Sequence, residues 1–299
     1  MLPWLLTAVG GADWPEWRGA GRQGVWTESG VIGSIPASGL KVKWRVPIQA
    51  GYSGPAVANG RVFFLDHTKG TGSRVTERAV CLDERTGKTL WAREWEADYR
   101  GLDYANGPRA TPTVDGDRVY VLGAKGSLRS LRVADGTELW SSDFARDFDT
   151  AVPGWGMSSA PLVAGSKLIA IVGGKGGAKV VAFDKLTGKV AWRALSGDES
   201  EPGYSQPVLI HQGRPQAIVW HAGALESLDP ETGTVLWSQQ FRVTMNTPIA
   251  TPAWNAPHLL VSGFFDGARM MELSAGGGAR LAWGLSLIHI SEPTRLRRI

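Results

Sequence analysis

Apolar residues in this chain fall in short runs separated by polar, glycine-rich turns. Val62-Phe63-Phe64-Leu65 and Val119-Tyr120-Val121-Leu122 are typical. Short apolar runs bounded by turn residues predict β-strands, and no helical periodicity of any length crosses the body of the chain. The runs are grouped. Each group opens with a small or polar pair and then a proline, at Pro55, Pro112, Pro161, Pro207 and Pro252, with intervals of 57, 49, 46 and 45 residues. Proline is tolerated at the first residue of a strand. A hairpin signal such as Asn59-Gly60 or Asp115-Gly116 follows, and then a second strand. After a loop comes a third strand, an Asp/Gly turn and a fourth strand that carries tryptophan. The pattern predicts four antiparallel strands per group.

The tryptophans give the period. Trp44, Trp91, Trp140, Trp192, Trp237 and Trp283 are separated by 47, 49, 52, 45 and 46 residues. A repeat of about 40–50 residues predicts the four-stranded blade of a β-propeller. The expected fold is all-β, with five full blades ending at Trp91, Trp140, Trp192, Trp237 and Trp283. The segment 40–47 is expected to be an orphan closing strand carrying Trp44. The turns read Asp83 to Gly87, Asp184 to Gly188 and Asp229 to Gly233. The second copy has Arg132 in place of the Asp and turns at Asp135-Gly136. The fifth, Ser274 to Gly278, has one extra residue before its tryptophan. The aspartate is expected to bond backbone N–H groups ahead of it. The glycine (Gly87, Gly136, Gly188 or Gly233) supplies positive φ, and the indole is expected to pack on a neighbouring strand.

The signature Ala/Val-x-x-Leu-Asp-x-x-Thr-Gly-x-x-x-Trp resembles the repeat of the pyrroloquinoline-quinone-type (PQQ-like) β-propellers. That family includes quinoprotein alcohol dehydrogenases and BamB-type outer-membrane assembly lipoproteins. The opening Asp13-Trp14-Pro15-Glu16-Trp17-Arg18-Gly19 resembles a start found in secreted bacterial PQQ-like propellers. The resemblance covers roughly residues 13–284. It implies a ring of about eight blades, so residues 40–284 are expected to be a partial propeller, preceded by an extension over 13–39. An open arc exposes a blade face and strand edges that closure would bury, and the chain by itself is expected to be poorly soluble.

The two ends read differently from the body. Residues 1–12 resemble the apolar part of a secretory signal, although they are short and lack the usual positive residues. An ordinary apolar start is the alternative. No Cys lies near the end of that stretch to carry a lipid. A periplasmic or secreted location follows if the segment is a signal. Residues 285–299 do not continue the repeat and resemble a sequencing-library adapter translated in frame. The natural sequence is expected to stop at Gly284, and His289 is given no role. The chain has 32 basic and 28 acidic residues; without that tail they number 29 and 27, a net charge of +2. That balance gives no support to nucleic-acid binding. No run of about 18 apolar residues predicts a membrane span.

Chemistry is harder to find. The resemblance to quinoprotein dehydrogenases implies PQQ held over a floor tryptophan, with calcium on Asp, Glu or Asn ligands, and often an adjacent cysteine pair. This chain has one cysteine, Cys81, expected in a buried strand. His67, His211, His221 and His258 show no metal-ligand spacing and are expected at surface or hairpin positions. Gly173-Gly174-Lys175-Gly176-Gly177 lacks the Gly-Lys-Ser/Thr of a phosphate loop and reads as a hairpin. Gly156-Met157-Ser158-Ser159-Ala160 leads into an inner strand, where a nucleophile elbow needs a strand-to-helix turn. Propeller geometry places any site at the channel mouth, on the loops before the innermost strands. The candidates there are Tyr52, Arg109, Trp155, Tyr204 and Asn246. Two roles stay open for them: contacts to a planar or anionic ligand, or a plug. Two functions stay open as well. One is an exported, non-catalytic scaffold with protein partners or a small ligand. The other is a PQQ-dependent alcohol dehydrogenase.

Overall fold

A computed structural model describes residues 12–30, 32–196 and 202–285. Most of the N-terminal apolar segment, and the tail beyond Leu285 with His289, lie outside the described residues. Five four-stranded antiparallel sheets follow one another along the chain, each in simple sequence order. The first blade comprises β1 (Ala56–Ala58), β2 (Arg61–Lys69), β3 (Arg74–Asp83) and β4 (Thr89–Asp98). The second has β5 (Thr113–Asp115), β6 (Arg118–Leu122), β7 (Ser127–Arg132) and β8 (Glu138–Asp143). The third has β9 (Leu162–Ala164), β10 (Lys167–Ile171), β11 (Val180–Asp184) and β12 (Val190–Ala194). The fourth has β13 (Val208–Gln212), β14 (Arg214–Trp220), β15 (Ala224–Leu228) and β16 (Val235–Gln240). The fifth has β17 (Ala253–Asn255), β18 (His258–Gly263), β19 (Gly267–Leu273) and β20 (Ala279–Leu285).

The five prolines stand immediately before β1, β5, β9, β13 and β17. Each blade packs on the next through an apolar layer. Phe63, Leu65, Cys81 and Trp91 of the first blade meet Val119, Val121 and Leu131 of the second. Similar layers join the second to the third, the third to the fourth and the fourth to the fifth. The segment 40–47 lies outside every sheet, but Trp44 packs on the leading face of the first blade with Phe64, Val80 and Leu82. A helix that periodicity could not predict, α1 (Phe144–Phe148), follows β8 and sends Phe144 and Phe148 into the layer between blades two and three.

All five tryptophans of the fourth strands occupy one register. A bulge skips the residue before each of them, at Leu90, Leu139, Ala191, Leu236 and Ala282. Such a bulge kinks the outer strand and re-aims the side chain that follows. The indole packs on neighbouring strands as expected, Trp91 by Phe63 and Trp140 by Tyr120 and by Phe183 of the next blade, and it also lies over the Asp/Gly turn of the following blade. Trp44 Nε1 donates to the Glu84 carbonyl (2.8 Å), Trp91 to Val133 (2.9 Å), Trp140 to Lys185 (3.1 Å) and Trp192 to Pro230 (3.0 Å). Beneath the rings sit Gly87, Gly136, Gly188 and Gly233, with φ between +71° and +74°. A Cβ on any of them would lie 2.6–2.7 Å from the indole. These glycines therefore answer two demands, positive φ and no side chain under the ring. Trp237 departs from the rule. The fifth turn has its extra residue, and Trp237 donates to Gln216 Oε1 in its own blade (2.9 Å).

The aspartates behave as expected. Asp83 Oδ1 accepts from the Thr86 N–H and hydroxyl, and Asp184 Oδ1 accepts from Leu186 and Thr187. In the degenerate second turn, Asp135 accepts from the Thr137 N–H and from Arg132.

The double role of the glycine gives a test. Gly60 has φ +71° and open space around its missing Cβ. Gly60→Ala is expected to cost about 1–2 kcal/mol, the left-handed penalty alone. Gly188→Ala is expected to cost about 1–3 kcal/mol more, because the methyl displaces Trp140. Urea denaturation of the two variants measures the difference.

Candidate functional site

The loops before the innermost strands form a continuous set of contacts across one face. Tyr52 N–H donates to Pro108 O (2.9 Å), Asp103 N–H to Gly154 O (2.8 Å) and Tyr204 N–H to Pro248 O (2.9 Å). The third and fourth loops meet where Trp155 stacks against Tyr204, with ring centroids 5.3 Å apart. Arg109 lies over the Tyr52 ring at 5.4 Å. Its guanidinium donates to the carbonyls of Gly107, Asp103 and Tyr104. Tyr52, Arg109, Trp155 and Tyr204 are thus brought to one mouth. Asn246 is on the fifth loop, in a short 3-10 turn, and reaches the others only through the backbone bond at Pro248. That turn is pinned by Asp266, whose carboxylate accepts from the Thr244 N–H (2.9 Å) and hydroxyl (2.7 Å).

Just below the mouth a hydroxyl collar joins the blades. Before Pro55, Pro161 and Pro207 the residue two back donates to the matching carbonyl of the next blade: Ser53 to Ala110 O (3.0 Å), Ser159 to Ser205 O (2.8 Å) and Ser205 to Ala250 O (2.9 Å). Ser159 is therefore a blade tie. The second blade has Ala110 at that place, and Thr113 bonds Pro161 O instead (2.8 Å).

The N-terminal extension fills the axis, which the sequence did not signal. Trp14 and Val57 exchange two backbone hydrogen bonds (2.7 and 2.8 Å), and Val114 N–H donates to Pro15 O (2.8 Å). Trp17 Nε1 donates to Thr251 Oγ1 (2.8 Å). Arg22, fully buried, reaches the seam of blades three and four.

Two polar clusters were also missed. Glu77, 1% exposed, accepts from Trp95 Nε1 (2.7 Å), Tyr99 Oη (2.6 Å) and the Ala124 N–H of the next blade (2.8 Å). Strand alternation did signal it, because Glu77 lies in phase with the buried Val75, Ala79 and Cys81. The second cluster lines a cleft of about 650 Å³ with Lys179, His221, Glu226, Ser238 and Arg242. There Glu226 accepts from Ser238 Oγ (3.0 Å) and faces His221 Nε2 (3.2 Å). Burial would raise the Glu226 carboxyl, but the contact with His221 holds it below its ordinary value. With the carboxylate between serine and imidazole, the hydroxyl donates to Glu226 and is not activated by the histidine.

His67 is buried within β2, against the surface or hairpin position expected for it; His221 is buried but does lie in the β14–β15 hairpin, and His211 and His258 are exposed. Both buried rings lie against polar groups of their own blades, His67 Nδ1 on Ala50 O (2.9 Å) and His221 Nδ1 on the Gly223 N–H (3.1 Å). The Gly173–Gly177 stretch joins β10 to β11, and Lys175 pairs with Asp149 (2.7 Å).

A family model described as "Outer membrane protein assembly factor BamB" matches residues 75–290. The chain belongs to this PQQ-like repeat family. An uncharacterized protein of Rickettsia prowazekii is 30% identical over 164 residues, 54% of this chain and 36% of that protein. Quinohemoprotein alcohol dehydrogenase ADH IIB of Pseudomonas putida is 34% identical over 145 residues, 44% of this chain and 19% of that enzyme. Among solved structures, BamB from Moraxella catarrhalis superposes with a TM-score of 0.51 at 19% identity, over 79% of this chain and 74% of that one. The chain thus spans about a third or less of the curated relatives it matches here.

The PQQ-like residues do not fit a calcium-bridged quinone. Tyr204 covers a face of Trp155, and carbonyls of its own loop occupy Arg109. Among the described residues no three His, Cys, Asp or Glu side chains are grouped to hold a cation.

Cys81 lies opposite Trp91 in the β3–β4 ladder, and burial pushes its thiol up to about 12. It therefore carries almost no thiolate at pH 8. A thiol reagent at pH 8 is expected to label the native protein at least a hundredfold more slowly than the urea-unfolded chain. Equal rates would show that the first blade is open to solvent.

Proposed function

We propose that this chain is an exported, non-catalytic PQQ-like propeller that acts as a binding or assembly scaffold, working in the periplasm or outside the cell. One observation carries the reading. Six large apolar side chains, Tyr52, Tyr104, Met245, Ile249, Phe264 and Phe265, are exposed on the loops of the mouth face. Strands alternate in direction, so the loops before the inner strands and the turns between second and third strands share that face. The bonds from Thr244 to Asp266 tie the Phe264–Phe265 turn to the fifth mouth loop. The opposite face carries the Asp/Gly turns, which are rich in charged residues and expose Leu186 among them. An apolar face with a polar reverse suits a protein partner, and the family's description as an outer-membrane protein assembly factor agrees with that use. No described helix is long and apolar enough to cross a membrane.

The second reading, a quinoprotein alcohol dehydrogenase, is favoured by the stretch shared with the Pseudomonas putida enzyme. The two separate cleanly in solution. Titration with PQQ and calcium, followed by dye-linked alcohol oxidation, is expected to give no shifted quinone absorbance and no turnover. A saturable complex with turnover would establish the enzyme and remove the scaffold reading.

A further inference from the structure

The axial strap carries more than a packing role explains. From Asp13 to Gly24 it touches all five blades through separate contacts, with a single two-bond bridge at Trp14. Its backbone is strained. Arg18 (φ +60°) and Arg22 (φ +59°) are both left-handed, as are Gly19, Gly21 and Gly24. Left-handed arginine costs about 1–2 kcal/mol each time, and such strain persists only where the surroundings over-determine it.

The over-determination is at Arg22. Its side chain is completely buried. Nη1 donates to Ala160 O (3.0 Å) and Pro207 O (2.9 Å), Nη2 to Pro161 O (2.6 Å), and Nε to Glu16 Oε2 (2.7 Å). Four of the five guanidinium N–H groups are thereby placed. Glu16 Oε1 also accepts from the Gly21 N–H (3.1 Å), closing the strap on itself. The three carbonyls belong to the lead-ins of β9 and β13, where proline cannot donate and the strand ladder has not begun. They converge in a fork that matches a planar cation and gives an ammonium no comparable fit.

We propose that the seam between the third and fourth blades is a guanidinium-binding site, and that Arg22 is its resident ligand, delivered by the strap that plugs the channel. The site is separable from its ligand. Truncating Arg22 leaves the carbonyls of Ala160, Pro161 and Pro207 and the Glu16 carboxylate facing a hole, and a free guanidinium of the same shape refills it. The ligand class is the alkylguanidinium group, as on an arginine side chain.

The test uses the full chain with Arg22→Ala and Arg22→Lys, and methylguanidinium against methylammonium as probes. Arg22→Ala is expected to lower the thermal midpoint by roughly 5–10 °C. Millimolar methylguanidinium restores part of the loss along a saturating curve; methylammonium does not, and the wild-type protein responds to neither. Arg22→Lys is expected to stay below wild type, because a point charge does not fill the fork. If Arg22→Ala cannot fold alone, folding that returns only with methylguanidinium supports the site. An unchanged midpoint in Arg22→Ala, an equal response to both cations, a wild-type midpoint in Arg22→Lys, or an unfolded Arg22→Ala that methylguanidinium does not recover would each overturn it.

Discussion

The fold depends on one repeated contact: an indole laid over a left-handed glycine in the next blade. Trp44, Trp91, Trp140 and Trp192 each reach forward to a carbonyl 38–45 residues along the chain. The bulge before Trp91, Trp140 and Trp192 aims each ring out of its own ladder, and the glycine turn gives it a seat without a side chain. The unit therefore cannot be satisfied alone, and its stability is a chain of nearest-neighbour terms. The exception follows the same logic. The fifth turn has one residue too many, so Trp237 turns back to Gln216 of its own blade.

Moving inward, the contacts become polar. Hydroxyls before the prolines tie one inner strand to the next, and Arg22 closes the axis between the third and fourth blades. These ties use backbone carbonyls that the ladders leave free, and Ser159 makes one of them. On the mouth face, Tyr52, Tyr104, Met245, Ile249, Phe264 and Phe265 are left open to solvent. A partner surface there is consistent with an axis already filled by the chain's own strap.

Much of this was legible in the residues, for physical reasons. The tryptophan period, the prolines and the Asp/Gly turns repeat, so each copy corroborates the others, and the five blades follow. The mouth loops were found because propeller connectivity fixes where they go, and Tyr52, Arg109, Trp155 and Tyr204 do meet. Other features leave no local trace. Arg22 sits among glycines and reads as a solvated residue, yet its acceptors lie 138–185 positions further on. The five residues of α1 are too few for a period. The indoles do pack on neighbouring strands, but their further seat over the next blade's glycine left no local trace, because the bulge that aims the ring is a feature of strand pairing. The burial of His67, and of His221 in its hairpin turn, left no trace because spacing tests for metal ligands do not report burial.

The most direct test of the indole-on-glycine lock is a double-mutant cycle on Trp192 and Gly233. If the lock is real, Gly233→Ala is far more damaging when Trp192 is present than in the Trp192→Ala background, where only the left-handed penalty of about 1–2 kcal/mol remains. A coupling energy of about 1–3 kcal/mol is the expected result. Strictly additive effects of the two substitutions would contradict the account.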